Sequence, residues 1–233
     1  MAELVGLSYV TSAEKIALDE RIMSVLGPPG AFLEGTTESS LSRYFGTDSD
    51  GIYYDERVGP DGNTYKLPKI QTMREKMAGE SDLDIAYSKN NPRIVSLGAH
   101  LVRDIGLDEL PQLRCVPDPL SLVGPRPSNQ GYLDFSLDIV KRVDRGVSAA
   151  WEELYFYPGI RHGLSGPGQL RLAWYNDRSP KTIAQALRAD VDYYPEKASN
   201  GKDIAIILRT PLELASSSLW KRLYNLKKSY TYR

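Results

Sequence analysis

The chain has 233 residues, 41% hydrophobic and 25% charged, enough to bury one full core, and its formal net charge of −1 excludes non-specific nucleic-acid binding. A single cysteine, Cys115, excludes an internal disulfide and a multi-cysteine zinc site and agrees with a reducing compartment. The N-terminus lacks the basic-then-apolar pattern of a secretory signal, so a cytoplasmic location is expected.

In chain order, Thr11-Ser12-Ala13-Glu14 reads as a capping box that opens a helix with Leu18, Ile22 and Val25 on one face, and Gly27-Pro28-Pro29-Gly30 stops it. A polar Thr- and Ser-rich stretch follows from Gly35 to Ser49. Ile52-Tyr53-Tyr54 and Thr64-Tyr65-Lys66-Leu67 flank Gly59-Pro60-Asp61-Gly62, which predicts a β-hairpin. A helix is expected from Pro92 to Arg103, with Ile94, Leu97, Leu101 and Val102 at core spacing. Two more follow, one across Tyr132 to Val143 and one capped by Ser179 with Pro180 at its first position. The expected fold is α+β: a mainly helical single domain with a small antiparallel hairpin sheet. Its boundaries fall at residues 1–50 for a helical arm and polar linker, 51–213 for the catalytic body and 214–233 for a basic amphipathic segment.

The chemistry concentrates in Leu107-Asp108-Glu109-Leu110-Pro111-Gln112-Leu113 and Ser121-Leu122-Val123-Gly124-Pro125-Arg126-Pro127. Two adjacent acids beside a bend can hold a divalent cation through hard oxygens, or one of them can attack phosphorus. Arg126 stands between two prolines that fix φ, so its guanidinium can make a paired hydrogen bond to a phosphate. Read alone, the same residues also suit a helix starting at Glu109 with Asp108 as its cap, and a surface arginine in a turn.

Longer runs add to this. Asp55-Glu56-Arg57-Val58-Gly59-Pro60-Asp61-Gly62 with Tyr65-Lys66-Leu67-Pro68-Lys69-Ile70-Gln71-Thr72-Met73-Arg74 resembles the Q-E-R-x-G-x-x-G and Y-K-F-R-T-M block of the bacterial sugar transferases, the monotopic polyprenyl-phosphate phosphoglycosyl transferases. Pro92-Arg93-Ile94-Val95-Ser96-Leu97-Gly98 is similar to their D-P-R-I-T-x-x-G segment, and Pro158-Gly159-Ile160 to the start of their P-G-I-T-G-W-A-Q-V block. Asp192-Tyr193-Tyr194 and Lys202-Asp203-Ile204 echo later blocks, so the resemblance covers about Gly51 to Thr210.

The resemblance implies a phosphoglycosyl transferase. Asp108 would attack the sugar-bearing phosphorus of a nucleotide diphosphosugar and hold the phosphosugar as an acyl phosphate. Asp108 and Glu109 would carry Mg2+, and Glu109 would alternatively position the acceptor, a polyprenyl phosphate. Lys69, Arg103 and Arg126 would clamp phosphates, Gln169 and Arg171 would replace the family's Gln and Arg near the nucleotide, and Asp203 and Arg57 would give support. Asp203 also suits a plain helix start after Gly201. After Pro158-Gly159-Ile160 the loop reads as if about five residues were inserted or the loop rebuilt, and His162 in it is a loop histidine more suited to a bystander than to an acid or base.

The ends depart from the family. Family members carry an apolar segment that enters the bilayer and turns back, whereas the helix here contains Glu14, Lys15, Asp19, Glu20 and Arg21, short of the roughly 18 apolar residues of a span. After Glu213 no acid appears, and Leu219, Trp220, Leu223, Tyr224 and Leu226 alternate with Lys221, Arg222, Lys227 and Lys228, a pattern for a helix on a membrane surface or docked on the protein. The expected membrane contact is at most peripheral, at the inner face. Two other readings stay open: a soluble transferase with a water-soluble acceptor, and a non-catalytic nucleotide-sugar-binding protein.

Overall fold

The structure is a computed structural model that describes residues 12–26, 51–74, 77, 93–94, 97–104, 106–175, 179–194 and 198–214. The polar stretch of residues 35–49 and the basic segment beyond residue 214 lie outside the described residues.

Helix α1 runs Ser12–Leu26, and the hairpin follows as β1 (Ile52–Val58) and β2 (Thr64–Ile70), antiparallel with Val58 opposite Thr64 and Ile52 opposite Ile70. Its turn closes because Gly59 N donates to Asn63 O at 2.7 Å, Asp61 accepts from Asn63 N, and Gly62 sits at φ 79, a left-handed value that glycine takes without strain. The predicted hairpin is therefore present.

The next helix begins later than expected. α2 spans Leu97–Asp104, while Ile94 pairs with Met73 in an antiparallel bridge and packs with Ile70, Ala99 and Val102. A 3-10 helix then runs Leu107–Cys115, followed by β3 (Ser121–Val123), α3 (Gln130–Val143), α4 (Arg145–Tyr155), β4 (Gly163–Ser165), α5 (Pro167–Tyr175), α6 (Pro180–Tyr193) and α7 over residues 200–214. Side chains close the helix starts. Asn129 accepts from Tyr132 N, Asp144 from Val147 N and Ser179 from Thr182 N.

Two cores carry most of the body. Leu133, Val140, Trp151, Leu154, Ile183 and Leu187 join α3, α4 and α6, and Val58 ties the hairpin to them. Leu67, Leu120, Leu122, Val123 and Ile206 form the second, under β2, β3 and α7, with Ile22 and Met23 of α1 against it. Each such side chain contributes on the order of 2 kcal/mol of apolar burial.

The parallel pair β3 and β4 lies between the cores, its backbones in contact at Gly124 and Gly163, where a Cβ on either would collide with the main chain of the other.

α1 docks through an unexpected face. Val25 is 87% exposed, whereas Lys15 and Asp19, one turn apart and in line with Ile22, are 5% and 1% exposed. Partners make this possible. Lys15 Nζ is 3.3 Å from Asp203 Oδ2 and lies over the Tyr194 ring, and Asp19 accepts from Ser121 Oγ at 2.8 Å and from Leu122 N at 3.3 Å. A hydrophobic pattern cannot announce a polar stripe whose partners lie about a hundred residues or more away.

Candidate active site

The site forms where the hairpin meets the 3-10 helix. Asp55 and Arg57 alternate along β1, and Leu67 and Lys69 stand opposite on β2, so the period of two puts all four on one face. The 3-10 helix starts after Gly106, held at φ 72, and its first turn delivers Asp108 and Glu109 to that face. From the other side comes Arg126, whose loop is knitted to β1: Val58 N donates to Ser128 O at 2.9 Å, and Tyr155 Oη donates to Val58 O while accepting from Ser128 N.

The two acids have different neighbours. Glu109 Oε1 accepts from Lys69 Nζ at 3.0 Å and from Arg126 Nη2 at 2.6 Å, and Lys69 also approaches Asp55 Oδ2 at 3.5 Å. Asp108 is 6% exposed; its carboxylate lies 3.7 Å from Arg103 Nη1, which also donates to Thr72 Oγ1. Arg57 pairs with Asp55. Among the described residues, four cations thus face three carboxylates, an excess of one positive charge that suits an anion.

The electrostatics follow from these contacts. Burial, and then the charge of Glu109, push the Asp108 carboxyl above the usual carboxylate range, with Arg103 opposing. Burial would raise Glu109 too, but Arg126 and Lys69 outweigh it and hold that carboxyl well below the usual range. One acid is therefore a locked anion and the other a desolvated carboxylate with one loose cation beside it.

A cavity of about 10 Å³, the size of one oxygen atom or water, opens against Arg57, Lys69, Glu109, Gln112, Arg126 and Gln169. Two donors buried in its wall, Arg57 Nε and Gln112 Nε2, have no hydrogen-bond partner among the described residues. Gln112 was not singled out from the sequence. Its only signal there is its place three residues after Glu109.

The other candidates fall as follows. Gln169 lines the cavity and donates to Gly163 O at 3.1 Å. Arg171 is exposed on α5 and lines neither of the two cavities described here. Asp203 is committed to Lys15 and to the Tyr193 hydroxyl at 2.6 Å, so its base is the docked lysine of α1 and not a phosphate clamp. His162 is fully buried between Tyr65 Oη and Tyr155 O, and burial pushes it down to about 4, so it is neutral at physiological pH and structural. In the loop after Pro158-Gly159-Ile160, the run from Gly163 to Gln169 forms β4 and the start of α5 and brings Gln169 to the cavity.

Residues 41–217 match the family described as Bacterial sugar transferase, about three quarters of the chain. The chain belongs to the bacterial sugar transferase family. Among relatives of this sugar transferase, the UDP-galactose-lipid carrier transferase of Erwinia amylovora is 34% identical over 118 residues, 43% of this chain and 24% of the relative. The UDP-glucose:undecaprenyl-phosphate glucose-1-phosphate transferase of Caulobacter vibrioides is 28% identical over 160 residues, 68% of this chain and 54% of the relative. The exopolysaccharide production protein ExoY of Rhizobium meliloti is 29% identical over 181 residues, 70% of each chain. This sugar transferase spans about a quarter of the Erwinia protein and about half of the Caulobacter one. Among its described residues no helix is long and apolar enough to cross a membrane.

Proposed function

We propose that this sugar transferase moves a sugar 1-phosphate from a nucleotide diphosphosugar to a polyprenyl phosphate, with Asp108 as nucleophile. The observation that carries the reading is the division of labour in the acid pair: Glu109 is fixed by Lys69 and Arg126, while the buried Asp108 has, among the described residues, the longer Arg103 contact as its ion pair. An Asp108 oxygen attacks the sugar-bearing phosphorus, and the bond to the nucleoside monophosphate breaks with its electron pair on the leaving phosphate. The acyl phosphate then passes its group to an oxygen of the acceptor phosphate, which restores Asp108. Arg103, Lys69 and Arg126 bind and orient phosphate oxygens, and the unpartnered Arg57 Nε and Gln112 Nε2 offer donors to one oxygen in the cavity.

The residues fit Mg2+. Asp108 and Glu109 supply hard oxygens, and among the described residues no group of three or more His, Cys, Asp or Glu would close a site without substrate, so the ion would be shared with the donor's phosphates. Bound there, it would neutralise charge at the reacting oxygens.

A water-soluble acceptor is a second reading, favoured by the burial of Lys15 and Asp19 of α1 in the protein's own body. Either acceptor is compatible with a cytoplasmic enzyme in peripheral contact with the membrane. Intact-mass measurement after incubation with a panel of nucleotide sugars tests the shared step: a phosphosugar adduct should form on the unaltered chain and be absent from Asp108→Asn. Turnover by Asp108→Asn near the rate of the unaltered chain would overturn the assignment. Chasing the adduct with polyprenyl phosphate or with a soluble phosphate separates the acceptors.

A further inference from the structure

A second cavity, of about 30 Å³, lies between α3, α4, α5 and α6, with room for two or three water-sized atoms. Arg126 and Gln169 line it and also line the cavity at the acid pair, so the two share a wall. Most of its lining is apolar, with Leu133, Ile183 and Leu187 among it. Besides Arg126, Gln169, Ser128 and Tyr132, two polar groups line it that the proposed transfer does not use.

The first is Asp190 of α6, which accepts from Trp151 Nε1 at 3.1 Å and from Gly168 N at 2.8 Å. A carboxylate has about four acceptor positions, so two remain. Its seat is built, because a Cβ on Gly168 would lie 2.6 Å from Asp190 Oδ2 and 2.8 Å from Ala186 O, and only glycine lets α5 begin this close. The second is the Ser136 hydroxyl of α3, on a residue 2% exposed, which has no hydrogen-bond partner among the described residues. Buried hydroxyls without partners are rare in folded proteins, and this one lines a cavity.

An acceptor and a donor on a mostly apolar wall are complementary to a group that carries an N–H beside a C=O. We infer that this cavity receives an amide edge of the sugar donor, with Asp190 accepting from the N–H and Ser136 donating to the carbonyl oxygen, while Arg126 holds the neighbouring phosphate. This rests on reading the acid pair as a nucleotide-sugar site. Two parts of such a donor present the edge: the acetamido group of an N-acetylhexosamine, and the N3–H and C4=O of uracil.

Equilibrium titration of the full chain carrying Asp108→Asn, which removes turnover, with and without Ser136→Ala, is the test. The ligands are UDP-N-acetylglucosamine, UDP-glucose and CDP-glucose in magnesium buffer. Because the Ser136 hydroxyl makes no hydrogen bond among the described residues, its substitution should leave the melting temperature unchanged while weakening one class of ligand by roughly three- to tenfold. Loss confined to UDP-N-acetylglucosamine assigns the acetamido group; equal loss for both UDP sugars, with CDP-glucose unaffected, assigns the base. Asp190→Asn should weaken the same ligands. No change for any ligand, or the same loss for all three, overturns the inference and leaves the acid-pair reading standing. Failure of the parent chain to bind any of them overturns both.

Discussion

The docking of α1 turns on one buried ion pair, and Lys15→Met tests it. Lys15 and Asp203 are 5% and 4% exposed, with Nζ 3.3 Å from Oδ2. Replacing the lysine leaves Asp203 charged and buried with the Tyr193 hydroxyl still donating to it, and an uncompensated buried charge of this kind costs about 3–5 kcal/mol. For a chain of this size that is a fall in melting temperature of roughly 10 °C. The double variant Lys15→Met with Asp203→Asn should recover most of the loss, because the asparagine carries no charge and its oxygen still accepts from Tyr193. Urea unfolding followed by circular dichroism on the two single variants and the double variant gives the coupling. Additive losses, or a Lys15→Met protein within about 1 kcal/mol of the original, would show that α1 is not held to the body by this pair.

Turnover should cease in excess EDTA and return with magnesium, whereas zinc should restore little, since the described residues hold no His or Cys cluster; full activity in chelator would count against the metal. Gly163→Ala should lower thermal stability by several degrees, because its Cβ meets the backbone of Gly124. Asp190 gives a pH signature: burial pushes its carboxyl up to about 7 from the usual 3.8, so the folded state binds that proton more tightly. The stability this group contributes is whole below pH 4 and is lost as pH rises through 7, by about 4 kcal/mol, and the fall in stability from pH 4 to 8 should shrink by about that amount in Asp190→Asn.

What the sequence discloses depends on how local the physics is. The hairpin was legible because Gly59-Pro60-Asp61-Gly62 both breaks the chain and supplies its own turn bonds. Asp108, Glu109, Lys69, Arg103 and Arg126 could be named from ordered motifs, and the fold brings them within ion-pair reach of one another. Gln112, Ser136 and Asp190 could not, since a glutamine, a serine and an aspartate become unusual only when burial strips away their water. Strands β3 and β4, three residues each, are too short to show a period. α4 was missed because its cap, Asp144, also ends α3, so the boundary reads as one polar break within a charged stretch.

The contact of Gly124 with Gly163 bears on how donor preference could change over evolution or by design. Two main chains that touch leave no side chain to exchange, and a larger residue at either position meets peptide groups that cannot step aside. The paired backbones of Ser121–Val123 and Gly163–Ser165 are in this sense an anvil, the same whatever sugar is worked on it. Variation has to be written beyond it, at Gln169 and Leu172 on α5 and at Tyr132 and Ser136 on α3. A library that spares the two glycines and randomises those four positions would explore substrate range while keeping Arg126, which follows Gly124 by two residues, in register with Glu109.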